Sequence, residues 1–170
     1  MNRSFVVAGV AVIGLTFVLN TQHSSFAQGG TSAKATVKTR TTNTASQTQP
    51  HRLSVQVDVN DPATMNLALN NVSNAAQHYR DLGQKVEIEV VAFGPGLHML
   101  RDDTSPVKAR VKSMSETMPE LTFSACGNTQ ENMSKVEAKD IPLISQAKVT
   151  KSGVVRLMEL QEQGWSYLRP

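Results

Sequence analysis

The chain has 170 residues and carries 17 Lys and Arg against 14 Asp and Glu. Four of the basic residues (Arg3, Lys34, Lys38, Arg40) fall within the first 50 positions, which hold no acidic residue, so residues 51–170 keep 13 basic and 14 acidic groups for a net charge of −1. The basic balance thus belongs to the N-terminal segment; nucleic acid is excluded as the main partner because it needs basic residues clustered on the folded domain, and the single cysteine, Cys126, excludes an intramolecular disulfide.

Residues 1–27 have the three-part pattern of a secretory signal peptide. Arg3 precedes an apolar run from Phe5 to Leu19, and "SSFA" ends on the small residue Ala27. The run spans 15 residues, short of the roughly 20 a membrane-crossing helix needs. The expected location is periplasmic or secreted, with a membrane association only if the segment is not cleaved. Residues 28–50 are rich in Thr, Ser and Gln and nearly free of apolar side chains, which reads as a disordered tether unable to bury enough surface to offset its ordering entropy. Residues 51–170 are one domain of ordinary size.

Within that domain, "RLSVQVDV" alternates Leu53, Val55, Val57 and Val59 and predicts a strand. Asp61 followed by Pro62 is a helix start. Met65, Leu69, Val72, Ala76 and Tyr79 then repeat every three or four residues, and Gly83 stands where a helix end favours a left-handed residue. "KVEIEVVAFG" predicts a second strand that enters from solvent, with Glu87 and Glu89 alternating against Val86 and Ile88, and ends buried on both faces. "GPGLHMLRDDTSP" reads as a loop, followed by a helix from near Ser105 and Pro106 to Met118. "ELTFSAC" predicts a third strand, "GNTQENMSKVEAKD" a helix beginning just after Cys126, and "AKVT" a short fourth strand. Ser152 caps "GVVRLMELQEQ", Gly164 ends it, and "WSYLRP" supplies a last strand. Regular alternation of strand and helix predicts an α/β fold, a three-layer α/β/α sandwich around a mainly parallel sheet of about five strands.

In such a sheet ligands bind at the carboxyl ends of the strands, which selects three loops: "VNDP", "GPGLH" and "ACGNT". Asp58, Asn60 and Asp61 in the first are explained as strand end and helix cap. The candidate pocket residues are Gly94, Pro95 and Gly96 from the second loop and Gly127, Asn128 and Thr129 from the third. Cys126 occupies a strand-to-helix corner, where free backbone N–H groups favour thiolate over thiol; a buried, inert cysteine is the alternative. His98 is a candidate partner for the thiol, as a proton acceptor when neutral and an electrostatic aid when charged; it equally suits a surface or packing role. Arg101 and Arg110 are candidate anion stabilisers. No cofactor is expected, since "GPG" is too short for a phosphate cradle. No metal is expected either, since His51, His78 and His98 fall in different elements without ligand spacing.

Four separated segments, "DPATMNLALNN", "VEIEVVAFGPGLHMLRDDTSPVKARV", "FSACGNT" and "SGVVRLMELQEQGWSYLRP", together resemble the DsrE/DsrF-like sulfur-relay family, in its exported, stand-alone branch. The resemblance covers residues 52–170. It implies a five-stranded α/β/α fold, assembly into trimers or hexamers, and a cysteine after a central strand that carries sulfur as a persulfide between a donor and an acceptor protein. By position that cysteine is Cys126. The "GPGLH" loop resembles a pocket-lining segment, with His98 as a neighbour. The expected function is therefore sulfur handling through Cys126; the alternative is a small-ligand-binding or oligomeric assembly module with an idle cysteine.

Overall fold

The computed structural model describes residues 49–170. The signal peptide read at residues 1–27, and all but the last two residues of the tether, lie outside the described residues. The elements follow as β1 (His51–Val57), α1 (Pro62–Asp81), β2 (Val86–Ala92), a 3-10 helical segment (Gly94–Leu100), α2 (Lys108–Thr117), β3 (Leu121–Cys126), α3 (Gly127–Glu137), β4 (Ala147–Thr150), α4 (Gly153–Glu162) and β5 (Ser166–Leu168). The strands form one all-parallel sheet in the order β4-β3-β2-β1-β5. Among the described residues no helix is long and apolar enough to cross a membrane.

Strand alternation assigns each side chain to a face. Val55, Val90 and Phe123 are paired across β1, β2 and β3, and they point into the main core with Met65, Leu69 and Val72 of α1 and Val111 and Met114 of α2. Met133 of α3 packs against the same core. Val91 points the other way and meets Leu157 and Leu160 of α4, with Phe93 and Trp165 beside them. The strand order accounts for this division. From β1 through β4 the chain steps outward in one direction, so right-handed crossovers set α1, α2 and α3 on one face. The step from β4 to β5 runs back across the sheet, and the same handedness sets α4 on the opposite face.

Local signals act as their chemistry requires. The Asp61 carboxylate accepts the Thr64 N–H at 2.8 Å and caps α1. Gly83 and Gly164 both take positive φ after helix ends. The stretch read as a loop after β2 is a 3-10 helical segment instead. It crosses the end of β1 so closely that a Cβ on Gly96 would lie 2.2 Å from the Val57 carbonyl oxygen, leaving glycine as the residue that fits.

Candidate functional site around Cys126

Adjacent strands whose connections leave toward opposite faces open a crevice between their carboxyl ends. Here those strands are β3, which leads into α3, and β4, which leads into α4. Cys126 is the last residue of β3 and the N-cap of α3, in extended conformation (φ −72°, ψ 112°), and is 5% exposed. Its sulfur accepts the Thr129 N–H at 3.4 Å. The tight junction needs small residues on both sides. A Cβ on Gly127 would press on Val149 Cγ1 at 3.2 Å, and one on Gly153, at the start of α4, would sit 2.9 Å from Phe93 Cβ.

Two opposing influences act on the thiol. Burial pushes its pKa up; the Thr129 hydroxyl and the backbone N–H groups of Gly153, Thr129 and Asn128 pull it down, and the donors prevail, leaving it below the usual cysteine value. Asn128 contributes least, and its N–H is given to the Lys151 carbonyl at 3.0 Å. The Thr129 hydroxyl oxygen accepts the Gly94 N–H at 3.0 Å, so its own proton is not used in that bond and can favour the thiolate. The hydrogen bond made to the sulfur comes from the first turn of α3, at the positive end of that helix dipole, and the start of α4 adds to the downward pull on the thiol through Gly153.

The remaining sequence candidates divide around this point. Gly94 joins the thiol through Thr129. Gly94, Pro95 and His98 line a groove of about 410 Å³ with Asn60, Thr129 and Met133. Gly96 is buried against Val57 and does not line it. His98 Nδ1 is 2.7 Å from Thr104 Oγ1, and the imidazole is not among the groups that act on the thiol. Cys126 lies outside the groove lining, so Thr129 is the residue the groove and the thiol have in common.

Arg101 does not serve as a free anion-binding group. It is 1% exposed and its guanidinium is occupied by Asp103, at 2.9 and 2.8 Å, and by Glu137. Arg110 is spent on Asn66 and Asn70. No group of three or more His, Cys, Asp or Glu side chains suited to a metal ion occurs among the described residues.

No family model and no curated protein matches the chain. Among solved structures it is similar to the protein of unknown function MTH1491 from Methanobacterium thermoautotrophicum, at 30% identity over 71% of this chain and 99% of that one, with a TM-score of 0.60. The chain belongs to the MTH1491 family. Nearly the whole of the archaeal relative is matched, so the two share a complete α/β domain.

In this member of the MTH1491 family, sequence reasoning missed a second polar cluster beside the thiol. Glu89 was expected to share the solvent side with Glu87, yet it is 4% exposed. Its carboxylate accepts Ser124 Oγ at 2.6 Å, Arg156 Nε at 2.8 Å and Arg156 Nη2 at 2.7 Å. Burial pushes this carboxyl up, but Arg156, Ser124 and the charge of Lys148 outweigh it and hold it below the usual carboxylate range. The available signal was the interruption of an apolar run by an acid. Its partner, 67 positions away, was not legible without the strand order.

Proposed function

We propose that this protein handles sulfur through Cys126, acting as a persulfide carrier. The observation that carries the reading is the thiol's position, at the switch point of the sheet and at the N-terminus of α3, where the sulfur accepts the Thr129 N–H at 3.4 Å and the anionic form is favoured. The thiolate attacks the outer sulfur of a donor persulfide, R–S–SH. A new S–S bond forms on Cys126, the donor's S–S bond breaks, and R–S⁻ leaves with the electron pair. An acceptor thiolate then attacks the outer sulfur of Cys126–S–SH and returns Cys126 as thiolate. No net oxidant or reductant is needed. The same donors stabilise thiolate and perthiolate, since both place negative charge at the corner.

The resemblance of "FSACGNT" and its neighbouring segments to the DsrE/DsrF-like family supports the same chemistry. It adds a homo-oligomer, trimer or hexamer, as the working assembly. The signal peptide read at residues 1–27 makes the setting periplasmic or extracellular, with donor and acceptor found there. The deciding experiment offers inorganic polysulfide to the protein and follows intact mass. A gain of one sulfur atom in the native chain, absent in Cys126→Ser and removed by an excess of small thiol, is expected. No gain in the native chain refutes the carrier reading. A second reading, a small-ligand-binding module with an idle cysteine, draws on the groove beside His98 and Thr129; it requires ligand affinity to survive intact in Cys126→Ala.

A further inference from the structure

We infer that the Glu89–Arg156 ion pair is a positioning device that holds the N-terminus of α4 at the Cys126 corner, where Thr150 pairs with Cys126 and the Asn128 N–H meets the Lys151 carbonyl at 3.0 Å, and so sets the reactivity of the thiol. The inference rests on the reading of Cys126 as a working thiolate. It begins with how α4 is attached. Leu157 and Leu160 anchor the middle and end of the helix on Val91. The first turn is held differently: the Gly153 backbone is buried against Phe93, while the Val154 and Val155 side chains are 53% and 49% exposed. Arg156 is the side chain of that turn that reaches the sheet, and it does so through a planar two-point bond to Glu89.

The pair also ties the turn to the cysteine's own strand. Glu89 of β2 accepts Ser124 of β3, two residues before Cys126 and so on the same face. One carboxylate therefore fixes β2, β3 and the first turn of α4 in register, with Gly153 three residues before Arg156. Lys148 of β4 adds its charge to Glu89, and Glu159 of α4 adds its own to Arg156 at 3.5 Å. The carboxylate is 5% exposed and the guanidinium 30%, so the desolvation cost falls chiefly on Glu89 and is offset by its three hydrogen bonds. What the bidentate fork supplies, and an apolar contact does not, is a fixed distance and orientation.

The two ways the pair could act on the thiol predict opposite signs in Glu89→Gln. If Arg156 acted only through its charge, removing the neighbouring carboxylate would unmask that charge and favour the thiolate. If the pair positions α4, the Gly153 N–H drifts from the sulfur and the thiolate is disfavoured. The measurement is the rate of Cys126 alkylation by iodoacetamide against pH in the full chain. Altered access changes the plateau rate, whereas altered thiolate stability moves the midpoint. For Glu89→Gln the midpoint should move upward, with the thiolate fraction at neutral pH falling about fivefold, within the range a helix terminus contributes to an adjacent charge. Arg156→Lys, which keeps the charge but loses the two-point bond, should move the midpoint upward by less. Leu160→Ala, which loosens the far end of the same helix, should lower thermal stability while leaving the midpoint where it is. If Glu89→Gln does not fold, the double variant Glu89→Met with Arg156→Met replaces it, with the same upward shift expected. A midpoint unmoved or lowered in the folded variant, or moved as far in Leu160→Ala, overturns the inference. Failure of the native chain to take up sulfur from polysulfide would instead refute the carrier reading, and the alkylation comparison would still decide the positioning role.

Discussion

Thr129→Val removes one oxygen from the site and leaves its shape nearly unchanged, since both side chains are branched at Cβ. Two effects disappear with that oxygen. The hydroxyl no longer favours the Cys126 thiolate, and the Gly94 N–H, 3.0 Å away, loses its acceptor. A hydrogen bond to a charged group contributes about 1.5–3 kcal/mol. Thr129 N–H, which still reaches the sulfur at 3.4 Å, and Gly153 N–H compensate in part. Taking the lower bound, the thiolate is disfavoured by about tenfold at neutral pH, at about 1.4 kcal/mol per decade. The orphaned Gly94 N–H costs folding stability as well, by about 1 kcal/mol, at the low end for a lost partner because Gly94 is only half-buried. The assay pairs an alkylation pH profile with a urea unfolding curve, on Thr129→Val and on Thr129→Ser, which retains the hydroxyl. An upward shift of the profile in Val with recovery in Ser is the expected result. A profile in Thr129→Val that overlays the native one would refute the argument that the hydroxyl favours the thiolate.

Gly96→Ala should be among the most damaging single changes in the domain. The new Cβ meets the backbone of Val57 at 2.2 Å, where no side-chain rotation relieves it, and a loss of at least about 3 kcal/mol in chemical denaturation is expected, the upper part of the range for overpacking. Acid titration should expose the Arg101 cluster. Hydrogen bonds from Arg101 hold Asp103 well below the usual carboxylate range and Glu137 at about 2. A carboxylate lowered by folding contributes stability that is complete above its unfolded value of about 4.3. For Glu137 that contribution is lost as pH falls through about 2, so Glu137→Gln should flatten the stability profile between about pH 4 and pH 2, read from thermal midpoints. An unchanged slope would count against the pairing.

The element plan of this protein is written in short-range chemistry. Asp61 with Pro62 starts α1, and the Met65, Leu69, Val72 and Ala76 stripe faces the core because a 3.6-residue period allows only one buried face. Alternation in "ELTFSAC" likewise sends Phe123 inward and leaves Cys126 at a strand-to-helix corner. Those signals act within a turn or two of the chain, so a single sequence displays them. The surroundings of Cys126 do not work that way. Gly153 meets Phe93 and Arg156 meets Glu89 of β2 because the chain reverses direction after β4 and carries α4 to the opposite face. Strand order depends on how two faces pack at once, and no local pattern encodes it. Arg101 and Glu89 teach the same lesson from the other side. A charged residue reads as solvated until the partners that neutralise it are known; Arg101 has Asp103 two positions away but also Glu137 at 36, and the partner of Glu89 stands 67 positions away. The sequence alone determined that a lone thiol would begin a helix; the tertiary structure decided what else would reach it, because only packing brings a second helix and its ion pair to the same corner.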